Sequence, residues 1–102
     1  MAKKLLQMDF KSKGPWGAEM TKAYTELAHT ISQTPGLRWK IWTENKSTRE
    51  GGGIYLFDDE TSLRAYLEEH TARLKEFGIQ EINAKLFDIP EELTVITRGP
   101  VE

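Results

Sequence analysis

The chain predicts an α+β fold: one antiparallel sheet made from two β-α-β halves, with both helices on a single face. Three observations predict it. Segments with apolar residues at every second position alternate with segments repeating at three- and four-residue steps, in the order β-α-β-β-α-β. Gly and Pro signals mark the boundaries between them. A length of 102 residues suits a single domain over 1–102, which at this size buries roughly 65% of its unfolded surface.

Lys4 to Phe10 sets Leu6, Met8 and Phe10 against Leu5, Gln7 and Asp9, the period of a strand. Gly14-Pro15-Trp16-Gly17 is a turn, with Pro15 suited to a first helical position. From Glu19 to Ser32, Met20, Ala23, Tyr24, Leu27 and Ile31 form one helical stripe, stopped by Pro35-Gly36. Leu37 to Glu44 alternates again, with Trp39 and Ile41 on one side and Lys40 and Trp42 on the other. After a short polar stretch, Gly53 to Phe57 pairs back as a hairpin. Asp58, Asp59 and Glu60 supply capping carboxylates for a second helix, whose stripe is Leu63, Tyr66, Leu67, His70, Leu74 and Phe77. Gly78 occupies the position of a left-handed cap. Ile82, Ala84 and Leu86 then alternate with Asn83, Lys85 and Phe87 until Pro90 ends the fourth strand. The domain core runs over about 4–89, and residues 90–102 contain a β-prone piece, Leu93 to Thr97, expected as an edge strand or a tail.

Composition narrows the function classes. A hydrophobic fraction of 38% with 29% charged residues fits a folded globular protein, not a disordered one. No apolar run approaches the ~20 residues that cross a bilayer. Lys3 and Lys4 are followed too soon by Asp9, Lys11 and Lys13 for a secretory leader, and the absence of cysteine fits a reducing cytoplasm. A net charge of -2 lacks the basic footprint of a nucleic-acid binder.

The two sheet faces differ. With Leu6, Ile41, Ile54 and Ile82 turned to the helices, the opposite face carries Leu5, Trp42, Tyr55, Phe57 and Phe87 among Gln7, Asp9, Lys40, Asn83 and Lys85. So large an aromatic set predicts a homodimer packed sheet to sheet.

The motifs LLQMDF, GPWG, PGLRWKIWTE, GGGIYLF and AYLEEHTARLKEFG, in this order and spacing over about residues 5–89, closely resemble the YdhR family of small mono-oxygenases. That family lies within the dimeric α+β barrel, or antibiotic-biosynthesis mono-oxygenase-like, superfamily. Gly51, where a small residue such as alanine is expected, and the C-terminal tail depart from the pattern. The resemblance implies a ferredoxin-like subunit pairing into a barrel, with a pocket between sheet and helices. It also implies oxidation of a small, electron-rich aromatic compound, phenolic or quinol-like, by molecular oxygen with no cofactor. Two other readings of the same pocket stay open: a non-catalytic ligand-binding or stress-response protein, and an isomerase or lyase.

The side chains supply few parts for other chemistry. With His29 and His70 the only histidines, no metal-ligand spacing is present, and the expected metal set is none. Gly51-Gly52-Gly53 precedes a strand without leading into a helix, so it reads as a bulge or close backbone approach, not a phosphate cradle. His70, in the middle of an apolar stripe, is the candidate base, with a packed core imidazole as the other reading. Trp39, Phe10, Tyr24 and Tyr66 are candidate pocket walls, or simply core. Arg73, three residues beyond His70, either holds an anionic oxygen or pairs with Glu69 or Glu76.

Overall fold

Alternation in the first strand builds the centre of the molecule. The computed structural model describes residues 2–102, all of the expected domain except its first residue. Its elements run β1 (Lys4–Lys11), α1 (Gly17–Ser32), β2 (Leu37–Asn45), β3 (Glu50–Phe57), α2 (Glu60–Glu76), β4 (Ile82–Asp88) and α3 (Glu91–Ile96). The four strands form one antiparallel sheet in the order β2-β3-β1-β4, so the two halves interleave as a ferredoxin-like fold. Leu6 and Met8 of β1 are buried beneath both helices, packed with Ile31 of α1 and with Leu63, Tyr66 and Leu74 of α2.

The helix ends follow local chemistry. The Asp59 carboxylate accepts the Ser62 N–H at 2.8 Å, capping α2 as its acidic lead-in predicts. At the other end, Gly78 takes a φ of 88°, its N–H reaches the Lys75 carbonyl, and the Ile79 N–H reaches that of Leu74. This pair of bonds is the Schellman arrangement, and it turns Ile79 back onto the core. Helix α1 begins after Trp16, so Pro15 lies in the preceding loop and not at the first helical position. Its first N–H, on Gly17, is taken up by a Glu44 carboxylate oxygen from β2 at 3.0 Å.

Two expectations about the sheet are corrected. Leu37 pairs with Phe57 but Trp39 pairs with Leu56, so Arg38 is the extra residue of a β-bulge. A strand beginning with Leu37 inward would place Trp39 and Ile41 inward too; the bulge reverses that parity. Lys40 and Trp42 therefore face the helices, alongside Tyr55 and Phe57, which pair with Lys40 and Leu37. The outer face carries Leu5, Trp39, Ile41, Ile54 and Phe87 instead, so it is largely aliphatic, with Ile41 and Phe87 exposed.

The second correction concerns the C-terminal segment, which forms no edge strand over 93–97. Glu91–Ile96 is a helix with Pro90 at its N-cap and Glu91 and Glu92 in its first turn. That start signal outweighs the β propensity of Val95 and Ile96. The chain then returns along β2: the Trp39 indole donates to the Pro100 carbonyl at 2.8 Å, Arg38 donates to the Glu102 carbonyl at 2.9 Å, and Val101 is buried. Among the described residues no helix is long and apolar enough to cross a membrane.

Candidate functional site

Helix α1 buries only Ile31, at its C-terminal end, among the described residues. Its N-terminal turns stand off the sheet, and a cavity of about 690 Å³ opens between them, α2 and the inner sheet face. Phe10, Met20, Tyr24, Trp42 and Tyr55 give it apolar and aromatic walls, and Phe77, half exposed, stands at its edge. The Tyr24 and Trp42 rings stack across α1 and β2 with centroids 6.4 Å apart.

Glycines make the room. A Cβ on Gly53 would meet Lys40 Cε at 2.7 Å and Tyr55 Cε1 at 3.2 Å, so the bare backbone there lets the lysine stem fold back across the sheet. On Gly52 it would meet the Met8 carbonyl at 2.0 Å, the close backbone approach expected of this triplet. The strand register runs through the triplet without a bulge; the bulge lies at Arg38.

Lys40 reaches into the cavity with its Nζ 3.5 Å from the Trp42 ring centroid and 4.9 Å from that of Tyr55. Burial, reinforced by the Arg73 charge, brings its pKa from 10.5 down to about 7. The ammonium and free amine are therefore both populated near neutrality. His70 lines the same cavity and is 3% exposed. Burial, then the Lys40 charge, then that of Arg73 lower its pKa to about 3, so the ring is neutral at physiological pH. Arg73 lies 3.1 Å from His70 Nδ1. A guanidinium can only donate, so Nδ1 accepts and Nε2 carries the proton.

The expected site residues divide accordingly. Phe10, Tyr24 and His70 line the cavity. Tyr66 sits behind it, stacked on His70 with centroids 5.0 Å apart and donating to the Tyr55 hydroxyl at 3.4 Å, and burial raises its pKa. Arg73 pairs with Glu69 at 3.0 Å, the second of its two expectations, and its other side meets His70. Trp39 is the correction: it faces away from the helices and is bound to the C-terminal segment. His29 is exposed on α1, as its position off the stripe predicts. Lys40, Trp42 and Tyr55 were assigned to the outer face by pattern; the bulge brings Lys40 and Trp42 inward, and pairing with Leu6 of β1 brings Tyr55 there. A lone lysine inside the aromatic stretch Trp39 to Trp42 was the available signal. Among the described residues no three His, Cys, Asp or Glu side chains converge to hold a metal ion.

Comparison with known proteins agrees with this architecture. The structure is similar to the NE2512 protein of unknown function from Nitrosomonas europaea, with a TM-score of 0.66 at 14% identity, covering 88% of this chain and 91% of that one. It is similar to SnoaB, a cofactor-independent oxygenase from Streptomyces nogalater, with a TM-score of 0.63 at 17% identity over 88% of this chain and 95% of that one. An antibiotic biosynthesis mono-oxygenase, so described provisionally, from Deinococcus radiodurans gives a TM-score of 0.61 at 11% identity over 84% and 91%. At these identities the likeness is one of fold. No curated protein sequence matches the chain. The family model described as "Putative mono-oxygenase ydhR" matches residues 5–100, nearly the whole chain, and the protein belongs to that family.

Proposed function

We propose that this protein is a cofactor-independent mono-oxygenase acting on a small, electron-rich aromatic compound. The observation that carries the reading is the cavity itself: aromatic walls from Tyr24, Trp42 and Phe10 around a floor where an amine, Lys40, lies near a neutral imidazole, His70. Membership of a mono-oxygenase family and the fold shared with a cofactor-independent oxygenase support it.

Lys40 is the base of this scheme, in place of the His70 base expected from the helix stripe. As free amine, Lys40 takes a proton from the substrate's phenolic or enolisable position. His70 is too weakly basic for that task but, with Nδ1 engaged by Arg73, offers an Nε2–H donor to the oxyanion that forms. The resulting anion is electron-rich enough to reduce O₂ directly. For an anthrone the balance is one CH₂ and one O₂ giving one C=O and one H₂O, so the substrate itself supplies the electrons. The Tyr24 and Trp42 ring faces orient a planar substrate and keep water from the anion.

The protein works as a homodimer joined through the outer sheet face, where Ile41 and Phe87 are 54% and 44% exposed beside Leu5 and Ile54. A cysteine-free chain suits the reducing cytoplasm. Oxygen uptake with anthrone or a hydroquinone in chelator-treated buffer tests the activity. Consumption above the no-enzyme rate, lost in Lys40→Met, is expected. Saturable binding of these compounds with no uptake would replace the oxygenase with a ligand-binding protein, and product formation under anaerobic conditions would replace it with an isomerase or lyase.

A further inference from the structure

The floor of the cavity carries a positive charge that no carboxylate pairs among the described residues; the one acid of the lining, Glu81, is exposed, as are Lys11, Lys13 and Arg49. Lys40 forms no ion pair among the described residues; Asp, Glu and their cationic partners are matched elsewhere, on the surface. The groups that face it are Trp42 on its own strand, Tyr55 from β3, and His70 and Arg73 from α2, with Tyr24 of α1 across the cavity. Of these, Arg73 is a second cation whose one carboxylate, Glu69, is exposed on the flank of the helix. Tyr55 does not supply a phenolate, because burial raises its pKa to about 12. His70 is neutral and presents a donor. The ring faces of Trp42 and Tyr55 offer Lys40 only their quadrupoles, a partial substitute for an anion. A desolvated ammonium beside a second cation is an incomplete arrangement, and an anionic oxygen completes it.

We propose that Lys40 is the anion receptor of the cavity and that the ligand is an aromatic acid, a planar ring system whose anionic oxygen, carboxylate or ionised phenol, seats against Lys40 Nζ. This rests on the preceding reading that the cavity binds an aromatic substrate, and it adds the charge the seated ring carries: the same ion pair that transfer of a phenolic proton to the Lys40 amine produces. The neighbouring Nε2–H of His70 supplies a second donor to the same oxygen or its geminal partner. Binding an acid that is already ionised is then tightest when Lys40 is protonated. The affinity falls with rising pH above about 7, where the empty cavity releases the proton.

The test compares 2-naphthoate with its neutral analogue 2-naphthylmethanol by isothermal titration calorimetry. At pH 6 the wild-type protein is expected to prefer the acid by about tenfold or more, and that preference to shrink at least about tenfold by pH 9. In Lys40→Met the acid is expected to bind no better than the alcohol. Lys40→Arg, which keeps the charge, retains a preference that no longer depends on pH. If the wild type binds the alcohol but the acid no better, the anion receptor is overturned and the aromatic cavity stands. If neither compound binds, both readings fail. Should Lys40→Met lose the alcohol as well, the wild-type pH series decides: a preference constant from pH 6 to pH 9 overturns the proposal.

Discussion

Lys40 Nζ lies 3.5 Å from the centroid of the Trp42 ring, two residues further along the same inward face of β2. The contact is worth about 1–2 kcal/mol in a desolvated setting, less than the several kcal/mol that removing an ammonium from water costs. Lys40 is therefore held in the fold at a net cost to stability, and the remaining strain on its charged form shows as its lowered pKa.

That cost predicts a pH dependence of stability. Between about 7, the folded value, and 10.5, the ordinary one, the unfolded chain binds more protons at this residue than the folded chain does. Stability from Lys40 thus rises with pH across that window, is complete above it, and is lost as pH falls through about 7. Lys40→Met should be more stable than wild type at pH 6 by about 1–3 kcal/mol and nearly equal to it at pH 10.5. Urea unfolding of both proteins at pH 6 to 10.5 measures the difference.

The proposed base makes an opposite demand on catalysis. With a phenolic substrate that enters neutral, kcat/KM should rise with pH through an apparent pKa near 7, since Lys40 acts as free amine. His70, at about 3, contributes no limb in this range. His70→Ala should lower kcat by roughly 10²-fold while keeping the limb near 7, as expected on losing one oxyanion donor. A limb that vanishes with His70 would return the base role to the imidazole.

The bulge at Arg38 predicts that the two tryptophans of β2 have separate tasks. Trp42→Ala removes a cavity wall and should weaken 2-naphthylmethanol binding about tenfold or more. Trp39→Phe loses the bond to the Pro100 carbonyl, costs about 1 kcal/mol of stability, and leaves that affinity within about twofold. Calorimetry and thermal unfolding on the two variants separate these outcomes.

Gly52 has no space for any side chain, and the obstacle is backbone: the Met8 carbonyl 2.0 Å from the position of a Cβ. Gly52→Ala must therefore part β3 from β1 locally and should cost about 2–4 kcal/mol. Denaturant unfolding gives the value.

The outer sheet face predicts the assembly. Light scattering after size exclusion should give a dimer at micromolar concentration, and Phe87→Glu, which puts a charge into that face, should give a folded monomer. A monomeric wild type would remove the proposed dimer.

How much of this was legible in the sequence depended on whether a segment offered one apolar face or two. β1 and β4 show a single apolar phase, and both helices a single stripe, so their inward sides follow directly. His70 was placed correctly for that reason. β2 has a tryptophan on each side, Trp39 and Trp42, and its pattern fits either orientation equally; only the pairing of Leu37 and Trp39 with consecutive residues of β3 decides, and pairing is not written locally. Lys40 was hidden by the same ambiguity, because a lysine in an alternating strand ordinarily faces water. The helix at Glu91–Ile96 carried its own signal, Pro90 followed by two glutamates, obscured by the β-branched residues behind it.

One extra residue at Arg38 also lets Leu37 share the inner side of β2 with Lys40 and Trp42, an odd number of positions away. Deleting that residue would close the bulge with the register unchanged, Leu37 on Phe57 and Trp39 on Leu56, so the amine and Trp42 would stay on the floor and Trp39 and Ile41 outside. A three-nucleotide deletion in the gene would thus trim the bulge and keep the cavity lining, so that a change of lining falls to substitutions at Lys40, Trp42 and their neighbours.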